Sequence, residues 1–318
     1  MLYLISFLLG GTGAWFISRR GKALGLLDKP NDRSSHNSVV PKGGGIGILA
    51  AFFVCSVAFS IPKSFWIPAV SLSLFSFWGD RSEIRPKKRL LFQFAAGTIL
   101  LIGILMGKGS GFAAYVWVPL LAIFIVGTSN YYNFMDGING IAGITGLVGF
   151  GLLGWFASTG DADRQIITLC VCMSFACLGF LPFNMPKARV FMGDVGSILL
   201  GFLFAGMVVY LSRSLLNFIC MAGFLFPFYA DELTTVIVRL KDGEKLSNPH
   251  RRHLYQLLAN EYGIPHWKVS LGYGLFQLLV GISVLRLKSS GITIVLSSMI
   301  LYFCTFSILS FIFRKKVR

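Results

Sequence analysis

Three short segments combine lone aspartates with amides or glycines: Gly79-Asp80, Asn130-Tyr-Tyr-Asn133-Phe-Met-Asp136-Gly137, and Phe191-Met-Gly193-Asp194-Val-Gly196-Ser197. Isolated carboxylates of this kind suit Mg²⁺, which takes one or two carboxylates and leaves its other positions to substrate phosphates and water. The flanking glycines keep the backbone clear of the ligand. Asn130, Asn133 and Asp136 are spaced by three, so a helix would show them on one face. Arg33 and Lys42, followed by Gly43-Gly44-Gly45, could hold a phosphate, and His250-Arg251-Arg252-His253 could face an anionic nucleotide. His250 and His253 could share a helix face as a metal pair, but no third ligand of suitable type lies near them in sequence, which argues against zinc. Each segment also has a plainer reading. Asp136, Asn139 or Asp194 would cap a helix, residues 28–45 would be a turn-rich basic loop, and Pro86-Lys87-Lys88-Arg89 would mark a membrane interface.

The elements that must position these groups are membrane helices. Of 318 residues, 55% are hydrophobic and 13% charged, with a mean hydropathy of +0.71 and 30 Phe. A soluble globule cannot hide that much apolar surface. The composition implies an all-α integral membrane protein and excludes a disordered chain and a soluble nucleotide-binding fold. Eleven apolar runs approach the length needed to cross about 30 Å of hydrocarbon: 2–17, 44–61, 65–78, 90–106, 112–128, 138–157, 165–184, 197–211, 215–230, 268–285 and 291–313. The first has no basic segment before it and ends at Arg19-Arg20, which suits an uncleaved helix better than a signal peptide.

Charge orients this map. Loops 18–43, 79–89, 129–137, 185–196 and 231–267, with the C-terminal tail and Lys268, hold 23 of the 29 Lys and Arg residues. The positive-inside rule puts that side in the cytoplasm, with the N-terminus outside and the C-terminus inside. The net charge of +16 is thereby a matter of topology, and nucleic acid is not an expected partner. All four histidines and 11 of the 13 acids fall on the same side. The positive-inside rule does not require acids to segregate; chemistry on the cytoplasmic face does. The chain reads as a single multi-spanning membrane domain over 1–318, without the internal repeat of many transporters. The six cysteines lie in apolar runs and form no CxxC pair, so they read as packing residues.

In order along the chain, five stretches resemble the polyprenyl-phosphate N-acetylhexosamine-1-phosphate transferase family, of the glycosyltransferase family 4 type. They are Asp28-Lys-Pro-Asn31 through Arg33-Ser-Ser-His36 to Gly43-Gly44-Gly45; Asp80 with Arg89-Leu-Leu-Phe-Gln93; Asn130 with Asn133-Phe-Met-Asp136-Gly137; Pro182-Phe183-Asn184 with Phe191-Met-Gly193-Asp194-Val-Gly196-Ser197; and His250-Arg-Arg-His253-Leu-Tyr255-Gln256. The resemblance implies an enzyme at the cytoplasmic face of the plasma (inner) membrane. It would transfer a sugar-1-phosphate from a UDP-N-acetylhexosamine to polyprenyl (undecaprenyl) phosphate, releasing UMP and initiating cell-envelope glycan synthesis of the O-antigen or teichoic-acid kind. Under it, Asp80, Asp136 and Asp194 are catalytic, and Asp194 with Asn133 holds Mg²⁺, with Mn²⁺ as the alternative. Asn133, Asn184, Arg33, Lys42, His250, Arg251 and His253 bind the substrates, and a homodimer is compatible with this reading.

Two positions depart from the family's pattern. An adjacent aspartate pair is reduced to Gly79-Asp80, and the second acid of an Asp-Gly-x-Asp-Gly motif is Asn139. The departures keep a non-catalytic relative open as an alternative. A membrane transporter is the other, although the apolar runs carry almost none of the charges expected of one.

Overall fold

The computed structural model describes residues 1–318 apart from 31–33, 37, 83, 161, 246–249 and 318, and the side chain of residue 317. Arg33 therefore lies outside the described residues. All eleven apolar runs are helical. In chain order the helices are α1 (Leu2–Arg20), α2 (Ile46–Ala58), α3 (Lys63–Arg81), α4 (Pro86–Gly107), α5 (Val118–Phe134), α6 (Ile141–Ser158), α7 (Arg164–Asn184), α8 (Asp194–Leu211), α9 (Leu215–Ala222), α10 (Phe226–Lys241), α11 (Leu254–Asn260), α12 (His266–Leu287) and α13 (Ile292–Val317). Strands β1 (Leu27–Asp28) and β2 (Val40–Pro41) make one short antiparallel ladder, with Leu27 opposite Pro41.

Among the described residues, eight helical stretches are long and apolar enough to cross a membrane, from Pro86–Gly107 to Ile292–Lys316. The chain is a multi-pass membrane protein. The first three of the eleven runs fall short of that measure. Helix α2 has 13 residues, about 20 Å at 1.5 Å per residue, while α1 and α3 are long enough but diluted by glycine, serine and charged ends. The ninth run, 215–230, continues as Leu215–Lys241 through a short 3₁₀ turn at Gly223–Leu225 that joins α9 to α10. Pro227, at the first turn of α10, tolerates that junction because its missing N–H would be unpaired there anyway. Residues 231–241, expected in a polar loop, are thus the end of a helix, with Asp231, Glu232 and Arg239 buried.

Helix α8 is the hub. Every residue from Val195 to Val209 is buried, against α2, α3, α4, α5 and α6. Lipid tails are as apolar as leucine, so these helices gain from close packing rather than from leaving water. Where α1 meets α7 the backbones nearly touch: a Cβ on Gly179 would stand 2.0 Å from the carbonyl oxygen of Phe7. This rigid frame brings the α1–α2, α3–α4, α5–α6 and α7–α8 connections to one end of the bundle.

Candidate active site

The first turn of α8 is built from its neighbours. Gly193, the residue before the helix, has φ +74°, and a Cβ there would lie 2.6 Å from the Gly43 nitrogen and 2.7 Å from Asp80 Oδ2. Only glycine fits that backbone and that space. The Gly43–Gly45 segment runs alongside: Gly44 and Gly45 donate their N–H groups to the carbonyls of Phe191 and Met192, both at 2.9 Å. Asp80, at the end of α3, accepts the N–H groups of Asp194 and Val195, each at 3.3 Å. The open N–H groups at the start of α8 are therefore met by a carboxylate of the chain itself. Lys42 Nζ stands 3.9 Å from Asp80 Oδ1.

Asp194 is held from two sides. Asn133 donates to its Oδ1 at 2.8 Å and to Ser197 Oγ at 2.8 Å, and Arg89, in the first turn of α4, pairs with its Oδ2. Arg89 is the residue that the interface reading of 86–89 undervalued. Its signal was its place four residues before Gln93, which exchanges amide hydrogen bonds with Asn130. Asn130, Asn133 and Asp136 do not share a helical face, because α5 ends at Phe134. Asn130 turns to Gln93, Asn133 to Asp194, and Asp136 lies past the helix end.

A cavity of about 280 Å³ gathers Asp28, Ser34, Ser35, His36, Lys42, Asp80, Asn133, Asp136, Gly137, Ile138, Asn184, Phe191, Gly193 and Asp194. Asp136 is pushed well above the ordinary carboxylate range, first by burial and then by Asp194, Asp80 and Asp28 nearby. Burial raises such a pKa and like charges raise it further. His36, quoted in the first motif but given no role, has Nε2 3.0 Å from Asp28 Oδ2, which accepts its proton, and packs on the Phe191 ring at 4.8 Å. Asn184 is buried and bridges two loops, accepting from Gly140 N–H at 2.6 Å and donating to the Val190 carbonyl at 2.9 Å. Gly140 is the residue before α6, so neither Asp136 nor Asn139 caps that helix.

Both departures from the family's pattern lie off this cavity. Asn139 donates to the Pro186 carbonyl at 3.2 Å. A Cβ on Gly79 would point at Ile84, 3.3 Å away.

His250, Arg251 and His253 are not among the residues lining the cavity. The segment is not a helix face either: α11 begins only at Leu254, with His253 as the residue before it. His253 is buried, with Nε2 3.4 Å from Glu232 Oε2 and Nδ1 3.8 Å from Asp231 Oδ1. Asp231 also accepts the N–H groups of Leu254 (2.8 Å) and Tyr255 (3.3 Å) and the Tyr273 hydroxyl (2.7 Å). His250 is held down to about 4, first by burial and then by the charges of His253 and Arg239. Arg251 pairs with Glu261 at 3.2 Å and reaches the Ser34 carbonyl at 3.5 Å. The link to the aspartates is Tyr255, whose hydroxyl donates to the Phe134 carbonyl at 3.0 Å.

Known proteins are similar to this chain in sequence. Residues 63–212, which hold Asp80, Arg89, Asn133, Asp136 and Asp194, match the family model described as Glycosyl transferase family 4. That stretch of the chain is similar to the family. It is 26% identical over 305 residues to a Bacillus subtilis protein named "Probable undecaprenyl-phosphate N-acetylglucosaminyl 1-phosphate transferase", covering 90% of this chain and 83% of that relative. An undecaprenyl-phosphate alpha-N-acetylglucosaminyl 1-phosphate transferase of Escherichia coli K12 is 29% identical over 283 residues, covering 80% and 75%. One of the same name from Thermotoga maritima is 27% identical over 265 residues, covering 81% of each. These similarities bear out the resemblance drawn from the five motifs.

Proposed function

We propose that the protein transfers N-acetylglucosamine-1-phosphate, or a close N-acetylhexosamine counterpart, from its UDP derivative to undecaprenyl phosphate, with UMP as second product. The observation that carries the reading is the convergence of Asp80, Asp136 and Asp194, from three separate connections, on one cavity with Lys42 and Arg89 beside it. The names of the relatives supply the lipid acceptor and the sugar. The basic loops and the one-sided acids support a cytoplasmic active site in the plasma membrane.

The donor set fits Mg²⁺. The carboxylates of Asp28, Asp80, Asp136 and Asp194 line one cavity and outnumber the nearby cations Lys42 and Arg89. Among the described residues no three Asp, Glu, His or Cys side chains form a ready-made metal cage, which matches an ion that relies on substrate phosphates and water for most of its shell. Asp194 and Asp136 would hold it, with the Asn133 amide orienting Asp194. Bound there, the ion supplies charge neutralisation between two anionic substrates. Arg89 and Lys42 add fixed positive charge where the phosphates meet. The acceptor's phosphate oxygen bonds to the sugar-bearing phosphorus. The bridging P–O bond to the uridine side breaks, and its electron pair leaves with UMP. A lipid phosphate is already ionised near neutral pH, so positioning and charge do more than a strong base would. Asp80 orders the first turn of α8 and Lys42 around that acceptor.

The test is UMP release from UDP-N-acetylglucosamine by purified protein, with undecaprenyl phosphate present or omitted. Release should require the lipid phosphate and a divalent cation. Release that is indifferent to the lipid phosphate, or none at all in folded protein, overturns the reading.

A further inference from the structure

A second cavity, of about 460 Å³, opens where the C-terminal ends of α10 and α13 meet α11. It shares no residue with the aspartate cavity. Val238, Leu257 and Phe311 give it an apolar wall, and Lys241, Arg252, Arg314 and Lys315 face one acid, Asp242. Arg252 already engages that acid at 2.6 Å, and Glu244 at 2.8 Å. Arg314 is buried and serves as a fastener. Its Nε donates to Ser310 Oγ at 3.0 Å, Nη1 to the Arg252 carbonyl at 2.5 Å and Nη2 to Thr235 Oγ1 at 2.9 Å.

Lys241 and Lys315 differ from those two arginines. Both are exposed, and among the described residues neither forms an ion pair or hydrogen bond. Each sits in the last turn of a stretch that can span a membrane, Leu215–Lys241 and Ile292–Lys316, which puts both at the level of lipid headgroups. The dipole of a helix end favours one lysine at each terminus. It does not account for an apolar-walled cavity between the two.

We propose that this cavity binds an anionic phospholipid, with Lys241 and Lys315 on the headgroup phosphate and the start of the acyl chains against Val238, Leu257 and Phe311. Basic pockets between helix ends at the inner interface suit this chemistry, and the apolar wall favours a lipid over a soluble anion. Through the bond from Arg314 to the Arg252 carbonyl, a bound headgroup steadies the segment His250–His253 and the start of α11. The proposal stands apart from the transferase reading, since it needs no turnover to test.

The experiment uses the full chain, purified and stripped of lipid, with phosphatidylglycerol or phosphatidylcholine added back at equal mole fraction. Retained lipid and the unfolding temperature are the readouts. Phosphatidylglycerol should be retained and should raise the unfolding temperature, while phosphatidylcholine should do neither. Lys241→Ala/Lys315→Ala should weaken phosphatidylglycerol retention about tenfold or more. Lys87→Ala/Lys88→Ala, an equal loss of charge elsewhere, should leave it unchanged. A second pair, Lys241→Gln/Lys315→Gln, keeps part of each stem and should behave as the alanine pair does. Wild-type retention in the Lys241/Lys315 variants overturns the proposal, and so does equal loss in the Lys87/Lys88 control. Equal protection by inorganic phosphate would mean a soluble-anion site and would overturn the lipid assignment.

Discussion

At the residue scale, the aspartates divide into Asp80, which orders the first turn of α8, and Asp136 and Asp194, which line the cavity without that tie. Asp80 spends both oxygens on the N–H groups of Asp194 and Val195, so its loss should disorder the start of α8. Asp80→Asn should lower UMP release by roughly a hundredfold, a size that a small misplacement of reacting groups can cause. Gly79→Asp should leave release within a few-fold of wild type, because a Cβ there meets Ile84 and Gly79 does not line the cavity. An inert wild type revived by Gly79→Asp would mark a degenerate relative instead. Asp136 gives a pH signature. Its folded pKa is raised, so the folded state holds its proton at pH values where the unfolded chain has released it. Stability from this group therefore falls as pH rises above the ordinary carboxylate range. Asp136→Asn should raise the unfolding temperature at pH 7.5, show little gain at pH 4, and lose UMP release at both. A gain that is equal at the two pH values would remove the electrostatic explanation.

At the scale of elements, what the sequence made legible followed hydropathy, and what it hid followed contacts distant in the chain. Each apolar run became a helix because lipid leaves no other partner for its backbone groups. In the sequence the run ends at 230, because Asp231, Glu232 and Arg239 look like loop residues. Their partners His253, Tyr273 and Glu244 lie 5 to 42 residues away and make those charges tolerable inside a helix. The same distance hid the Asp80 contact with α8, 114 residues on. Lone aspartates beside glycine could be read as site residues, but which of them caps a helix could not. Asn184 tests this view of remote polar ties. Its amide joins Gly140 and Val190, so Asn184→Ala strands a buried donor and a buried acceptor, costing about 2 kcal/mol or more. The unfolding temperature should drop, and Asn184→Asp, which keeps an acceptor for Gly140, should drop it less. Equal unfolding temperatures for wild type and Asn184→Ala would assign the amide to substrate alone.

At the scale of the whole molecule, the question is how α1, α2 and α3 sit, since the eight strongly apolar stretches all begin after them. The cavity constrains the answer. Lys42, before α2, and Asp80, at the end of α3, are 3.9 Å apart, so the chain from one to the other must leave and return to the same side. Helices α2 and α3 make either two crossings or none. Helix α2 spans only about 20 Å, yet seven of its 13 residues are buried, and it packs on α1, α7 and α8, of which α7 and α8 are strongly apolar. A helix seated that way among spanning helices cannot lie on the surface, and local thinning of the bilayer accommodates a short span at modest cost. Two crossings are the expected arrangement, with the turn before Lys63 on the face opposite the aspartates. A cysteine placed at Lys63 should react with a membrane-impermeant maleimide in intact cells, as one at Thr159 between α6 and α7 should. Cysteines at Lys87 and Lys187 should react only after permeabilisation. The background for all four is Cys304→Ser, because the other native cysteines are buried. If Lys63→Cys is protected in intact cells while Thr159→Cys is labelled, α2 and α3 do not cross. The molecule would then have two fewer spans than its eleven apolar runs imply.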